Sequence, residues 1–217
     1  MVNRRTATKL VLSGLPLSRA FAGANTLYKG VQFGICSYSF RGMGLAELIR
    51  QNAEGALVAL INDDASADAC HAAGVGAEIT LDLGGKSDGA PLSVTAKVLK
   101  LTDGVFVGTG PMAKGNPAAL GPTALIQVAP GVRVIVVTRK MQALDQALIR
   151  HVGIEPSECK ILVLKSSVHF RADFQPIAEL VIVAAAPGPV VADPALLPFK
   201  HLRPGIRLRP MDNRAVS

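Results

Sequence analysis

The chain has few aromatic residues and lacks the short motifs that mark the common cofactor-dependent enzymes. Its 217 residues include no Trp and only 4% aromatic residues, so a large core has to be built from Val, Ile, Leu and Ala. A P-loop, a GxGxxG dinucleotide fingerprint, a GxSxG nucleophile motif and an HExxH metal motif are all absent. No apolar run reaches the roughly 20 residues that a membrane-spanning helix needs.

Cysteine and histidine are sparse, which bears on metal and redox chemistry. The three cysteines have no CxxC spacing: Cys36, Cys70 and Cys159. They are interpreted as isolated thiols, although export would leave a disulfide between two of them open. His71 shares a predicted helix face with Asp64 and Asp68, a pattern more typical of a solvated polar face than of a metal site. We therefore expect no metal ligand and no cofactor in this chain.

The net charge of +7 is carried by the two ends of the chain. Residues 1–50 hold seven Lys or Arg and one acidic residue, and residues 200–217 hold five and one. The 149 residues between them hold eleven basic and fourteen acidic residues. A nucleic-acid-binding domain concentrates basic charge and stacking aromatics on its folded surface. This distribution therefore argues against nucleic acid as a partner.

The first 54 residues differ in pattern from the rest. In residues 1–22, Arg4 and Arg5 precede a short apolar run and an Ala-Phe-Ala cleavage site, which predicts a twin-arginine-like export signal and a periplasmic protein. The alternative is a basic start without targeting function, in a cytoplasmic protein. Residues 23–54 contain GVQFGICSYSFRGM, which resembles the first strand of sugar-phosphate isomerase/epimerase-like TIM barrels. Because no barrel follows, we expect residues 23–54 to be a barrel-start-like segment or a linker that lies outside the main domain.

Residues 55–212 alternate between predicted strands and a few predicted helices. Apolar runs and period-two alternation predict the strands Ala56 to Ile61, Glu78 to Leu83, Leu92 to Val98, Val105 to Val107, Leu125 to Ala129, Val132 to Thr138, Ile161 to Leu164 and Leu180 to Ala184. Helices are predicted over Ala65 to Ala73, Gln142 to Val152 and Ser167 to Gln175. The predicted fold is a single α/β (α+β) domain, in which two or three helices flank a mixed, largely antiparallel β-sheet. A short tail, residues 213–217, follows it.

One long loop interrupts this pattern. Residues 108–123 hold four Gly and three Pro and show no clear strand or helix period. Loops of this length are uncommon in compact domains unless they have a role. We expect this loop either to bind a ligand or to lie over another element.

The stretch KSSVHFR, from Lys165 to Arg171, places five polar side chains directly after an apolar strand. Ligand sites in open α/β sheets lie at the carboxyl ends of strands. The candidate substrate-binding residues are therefore Lys165, Ser166, Ser167, His169 and Arg171. A lysine, two hydroxyls and the free N–H groups of a helix start would bind an anion. The serines could instead only cap the helix, and His169 could pack beside Phe170 and bond to the backbone. No catalytic residue is assigned.

Five segments between residues 72 and 212 carry a family resemblance. They are AAGVGAEITLDLGGK (Ala72 to Lys86), TDGVFVGTGP (Thr102 to Pro111), LGPTALIQV (Leu120 to Val128), ILVLKSSVHFRADFQPIA (Ile161 to Ala178) and RPGIRLRPMD (Arg203 to Asp212). In this order they resemble the C-terminal domain of the microcystinase C (MlrC) family of zinc metallopeptidase-like proteins, over about residues 56–212.

The resemblance implies that zinc binding and substrate contact belong to two different domains. Full-length members are zinc-dependent hydrolases that cleave the linearised peptide toxin microcystin, or uncharacterised relatives, and their zinc ligands lie in the N-terminal domain. The resemblance therefore implies that this chain is a detached C-terminal domain, the substrate-side or structural half of such a hydrolase, without activity alone. Its expected partners are a separate catalytic domain or a peptide-like substrate, and the KSSVHFR stretch would line the cleft between the domains.

Two other functions fit the same residues. The first is an exported hydrolase in which Ser166 acts as nucleophile beside Lys165 and His169. The second is an exported small-molecule-binding module that uses the corner from Lys165 to Arg171.

Overall fold

The computed structural model describes residues 31–36, 43–86, 90–166, 168–182, 195 and 197–208. The strands are β1 Val31–Cys36, β2 Ala56–Asn62, β3 Glu78–Leu83, β4 Leu92–Thr102, β5 Val105–Val107, β6 Pro117–Ala119, β7 Thr123–Ala129, β8 Val132–Val137, β9 Ile161–Leu164 and β10 Ala178–Ile182. The helices are α1 Met43–Arg50, α2 Asp64–Ala73 and α3 Ala147–Arg150. In this described part of the chain, no helix is both long and apolar enough to cross a membrane.

Eight strands form one mixed sheet, and β5 and β6 form a small second sheet. The order in the main sheet is β10-β1-β9-β2-β8-β7-β4-β3. The pairs from β10 to β8 are parallel, and the pairs from β8 to β3 are antiparallel. The predicted mixed α/β class is confirmed. Antiparallel pairing prevails only in the half of the sheet that runs from β8 to β3. The parallel half was not predicted, because parallel pairing joins strands that are distant in sequence and leaves no local signal.

Strand β1 lies inside the main sheet, between β9 and β10. Phe33 is in register with Leu162 on one side and Val181 on the other. In α1, Leu45 and Leu48 are buried in the core. The expectation that residues 23–54 stand outside the main domain is therefore wrong for β1 and α1. Residues 1–22 and 213–217 lie outside the described residues, so the export signal stays a prediction.

The core lies on both faces of the sheet, and β2 shows this most clearly. Its residues Ala56 and Val58 pack into one cluster, whereas Leu57 packs into the cluster on the opposite face. A strand that is buried on both faces needs a continuous apolar run rather than an alternating pattern. The run ALVAL therefore places β2 in the interior of the sheet.

Helix α2 forms where its capping residues predict it. The carboxylate of Asp63 accepts a hydrogen bond from the backbone N–H of Ser66 at 3.1 Å, which satisfies one of the unpaired donors of the first turn. Gly74 ends the helix at a φ of +84°, a conformation that glycine adopts without strain.

Two other predicted helices are much shorter in the structure. The segment predicted to be helical from Gln142 to Val152 contains only the four-residue α3. The segment from Ser167 to Gln175 is replaced by the 3₁₀ turns His169–Ala172 and Gln175–Ile177. In the first segment, the backbone N–H of Gln146 donates to the carboxylate of Asp173, and the Asp145 carboxylate accepts from the backbone of Thr109 and Gly110. The loop predicted at residues 108–123 contains a missed strand, β6, which pairs with β5.

Candidate ligand-binding corner

The KSSVHFR stretch follows the carboxyl end of strand β9 and begins beside the C-terminal half of the parallel strand β2. Strand β9 ends at Leu164, and the backbone N–H of Lys165 donates to the carbonyl of Ala59 in β2 at 3.2 Å. This is the edge of a sheet at which α/β proteins bind ligands. The position expected for the corner is thus found, and its role as a binding site stays a prediction.

Ser166 stabilises the turn that follows β9. Its side chain is buried, with an exposed fraction of 3% for the residue, and its Oγ accepts a hydrogen bond from the backbone N–H of Phe170 at 3.1 Å. The capping interpretation therefore fits Ser166, and a buried hydroxyl that fixes the turn is poorly placed as a nucleophile. Ser167 lies outside the described residues.

His169 and Arg171 are exposed on either side of a buried phenylalanine. Phe170 anchors the turn in the core, and the Arg171 guanidinium lies over its ring at 5.1 Å from the centroid. A second contact, from the Arg171 guanidinium to the side-chain carbonyl of Gln175 at 3.2 Å, fixes the orientation of the cation. Arg171 is thereby held at the surface with its charge accessible.

The partner of His169 is a side chain that the sequence analysis missed. Its Nδ1 is hydrogen-bonded to Oε1 of Gln142. Gln142 belongs to the connection between β8 and α3, residues 138–146, which was predicted to be partly helical. The alternative in which His169 bonds to the backbone is replaced by this side-chain contact. No local pattern indicates the pair, because 27 positions separate its members in sequence.

Asp145 is the most strongly bonded carboxylate of this region and was also missed. It is buried, with 1% exposed, and accepts hydrogen bonds from the N–H groups of Thr109 at 2.9 Å, Gly110 at 2.8 Å and Ala147 at 2.8 Å. Buried carboxylates are stable when several donors compensate the loss of water. Its position two residues before α3 was the available signal, since Asp is common at helix starts.

Asp173 makes the corresponding connection on the KSSVHFR side. Its carboxylate accepts from the backbone N–H of Gln146 at 2.6 Å, and the Gln146 side-chain amide donates to the Asp173 carbonyl at 2.6 Å. Gly110 packs so closely that an added Cβ would lie 2.6 Å from the Asp173 carboxylate. The loop after β5, the start of α3 and the turn at residues 169–173 therefore meet through two aspartates.

We call residues 105–119, which comprise β5, the loop 108–116 and β6, the arm. Within its loop, Gly108 N–H donates to Asn116 O and Gly115 N–H donates to Gly108 O, each at 2.9 Å. Asp145 then fixes the loop to the body of the domain. The expectation that this glycine-rich segment lies over another element is confirmed. Its side chains Val107 and Met112 are exposed, as is Val168 in the corner.

Cys70 and Cys159 are buried. Burial raises the pKa of Cys70 and of Cys159 to about 11, and the neighbouring Asp63 adds to the effect on Cys70. A thiol with a raised pKa is a poor nucleophile at neutral pH.

The described residues do not fit a zinc ion. No group of three or more His, Cys, Asp or Glu side chains in this part of the chain could hold a metal. His71 instead contacts the carbonyl of Thr123 at 3.2 Å, and His151 stacks on Phe106 at 5.4 Å between ring centroids. The zinc that the family resemblance implies is therefore not assigned to any of these residues.

Comparison with known proteins identifies the family of this chain, a curated relative and a solved structure of similar fold. Residues 41–201 match the family described as MlrC C-terminus. Microcystinase C from Sphingomonas sp. is 31% identical over 117 residues, which are 52% of this chain and 22% of that protein. A crystal structure from Mesorhizobium sp. BNC1, described as a "Putative metallopeptidase", superposes with a TM-score of 0.72 and 23% identity over 93% of this chain and 42% of that one. The chain thus spans less than half the length of either relative, and it belongs to the family of MlrC C-terminal domains.

Proposed function

We propose that this chain is the substrate-side half of a metallopeptidase-like hydrolase. It holds one wall of a ligand cleft, and a separate zinc-binding catalytic domain supplies the other. The observation that carries the proposal is the position of the KSSVHFR corner. The corner lies at the carboxyl end of β9, beside the C-terminal half of β2, and presents the exposed side chains of His169 and Arg171.

The charge around the corner supports an anionic ligand group. Strand β8 runs parallel to β2, so the residues that follow both strands lie at the same edge of the sheet as Lys165. Arg139 and Lys140 follow β8 there and are exposed. Cations from two segments, the residues after β8 and the residues after β9, thus lie at one edge, an arrangement that favours a carboxylate or phosphate group.

The apolar surface beside the corner supports docking of a second protein surface. Val168 is 61% exposed and Met112 is 50% exposed, and both lie within a few residues of the Gly110–Asp173 contact. Exposed apolar side chains next to a polar site are typical of interfaces. The catalytic domain of the proposed hydrolase would cover them.

Mixing the two proposed halves tests whether catalysis needs both of them. The purified chain is assayed for zinc and for cleavage of linear peptides, alone and after mixing with the part of Microcystinase C that lies outside the matched region. We expect cleavage only in the mixture. Stoichiometric zinc with turnover by this chain alone would contradict the proposal, as would a mixture without association or cleavage.

Anion binding at the KSSVHFR corner is tested by removing the positive charge of Lys165. We expect Lys165→Ala to weaken sulfate and acetate binding about three- to fivefold, since a partly exposed ion pair contributes about 1 kcal/mol. Chemical-shift titration measures the affinity. Lys97→Ala is the matched control, because Lys97 is an exposed lysine of β4, in the antiparallel half of the sheet. Equal affinities in the two variants, both with unchanged thermal unfolding, would remove the anion site.

A further inference from the structure

The β8–α3 connection is fixed against the KSSVHFR corner at two points. The backbone N–H of Ala143 donates to the carbonyl of Lys165 at 3.3 Å. Three residues later, the backbone N–H of Gln146 donates to Asp173 at 2.6 Å. Gln142 and His169 lie beside these anchors, so their contact is built into the packing of two segments.

The Gln142–His169 hydrogen bond determines which ring nitrogen carries the proton. The Oε1 atom of Gln142 can only accept, so the Nδ1 atom of His169 has to donate to it. In a neutral imidazole the other nitrogen, Nε2, is then an acceptor with a free lone pair. The ring is exposed, and Nε2 is on the side of the ring away from Nδ1.

We infer that Gln142 is a positioning residue that fixes His169 in the Nδ1–H tautomer, so that Nε2 accepts a hydrogen bond from an N–H or O–H group of the ligand. The inference rests on the proposed function and makes it more specific. The cations at the same edge favour a carboxylate or phosphate, and His169 requires a donor near it. The ligand class is therefore one that carries an anionic group and a hydrogen-bond donor close together.

The tautomer is measured by long-range proton–nitrogen NMR of the histidine rings in the full chain. We expect the Nδ1–H form of His169 to dominate in the native protein. Gln142→Leu should shift the tautomer ratio toward Nε2–H by about threefold or more, because the hydrogen bond that stabilises the Nδ1–H form is lost. Gln142→Glu keeps the acceptor and should keep the Nδ1–H form, and it serves as the second variant if Gln142→Leu folds poorly. A dominant Nε2–H form in the native protein would overturn the inference, as would an unchanged ratio in Gln142→Leu.

The ligand class is tested with two probes that differ only in the donor. N-acetylglycine carries a carboxylate and an N–H, whereas N-acetylsarcosine carries the same carboxylate with the N–H methylated. We expect the native protein to bind N-acetylglycine about threefold or more tightly, with His169 ring shifts, and we expect Gln142→Leu to lose most of this preference. Equal affinity for the two probes would refute the donor requirement. The tautomer measurement does not depend on anion binding, so failure of the Lys165 test and failure of this inference are distinguishable.

Discussion

At the scale of single residues, His151 is a titratable side chain with both ring nitrogens buried. Its ring stacks on Phe106, and neither buried ring nitrogen makes a hydrogen bond of normal geometry within the described residues. Burial lowers the pKa of His151 below its usual 6.5, and the charge of Lys100 acts in the same direction. The carbonyls of Leu148 and Ala147 and the charge of Asp103 oppose the shift only in part.

This environment predicts a loss of stability on acidification. Below about pH 6.5 the unfolded chain protonates His151 whereas the folded chain does not, so the unfolded state binds more protons and the free energy of unfolding falls as the pH falls. We expect His151→Phe to reduce this fall between pH 7 and pH 5, as measured by urea unfolding at each pH. The control is His201→Gln at an exposed position. A pH dependence that is unchanged in His151→Phe would show that His151 is not its source.

At the scale of elements, sequence patterns predicted strands better than helices. The bounds of β3, β5 and β9 agree with the prediction, because alternation and short apolar runs are local properties. Of the helix predicted from Gln142 to Val152, only α3 forms. The residues before it make tertiary hydrogen bonds instead: Asp145 bonds to Gly110 of the arm, and Gln146 bonds to Asp173. These partners are 27 to 36 positions away in sequence, so no local window includes them.

The contact between the arm and the turn at residues 169–173 is tested by adding a Cβ at Gly110. A Cβ on Gly110 would meet Asp173 at 2.6 Å, so Gly110→Ala has to separate the arm from the turn at residues 169–173. We expect a loss of about 1–3 kcal/mol in the free energy of unfolding and faster amide exchange at Thr109. Gly115→Ala is the control, because nothing lies within 4 Å of its added Cβ. It should cost only the strain of its φ of +79°, about 1 kcal/mol. If Gly110→Ala behaved like Gly115→Ala, the close packing of arm and turn would be wrong.

At the scale of the whole molecule, the main sheet depends on a strand that the sequence analysis placed outside the domain. Strand β1 joins β9 to β10 by parallel pairs on both sides. A missing interior strand leaves the backbone groups of both neighbours unpaired, and unpaired strand edges promote aggregation.

A pair of truncations tests this position. We expect the variant that begins at residue 37 to unfold at a lower urea concentration than the full chain and to aggregate. The variant that begins at residue 31 keeps β1 and is the control. If both variants unfolded at the same urea concentration, β1 would not contribute to the sheet.

The candidate site could be predicted from the sequence only in part. The position of Lys165, His169 and Arg171 followed from a polar stretch after an apolar strand, a pattern within ten residues. Gln142, Asp145 and Asp173 were missed, because each acts through a partner that only the folded chain brings near.

The sequence by itself determined the family, the mixed α/β class, most strand positions and the location of the KSSVHFR corner. Each of these depends on local periodicity or on short motifs, which folding does not alter. The tertiary structure decided the parallel half of the sheet, the place of β1, the attachment of the arm and the hydrogen-bond partner of His169. These depend on contacts between residues far apart in the chain, and such contacts form only when burial of apolar surface brings the segments together.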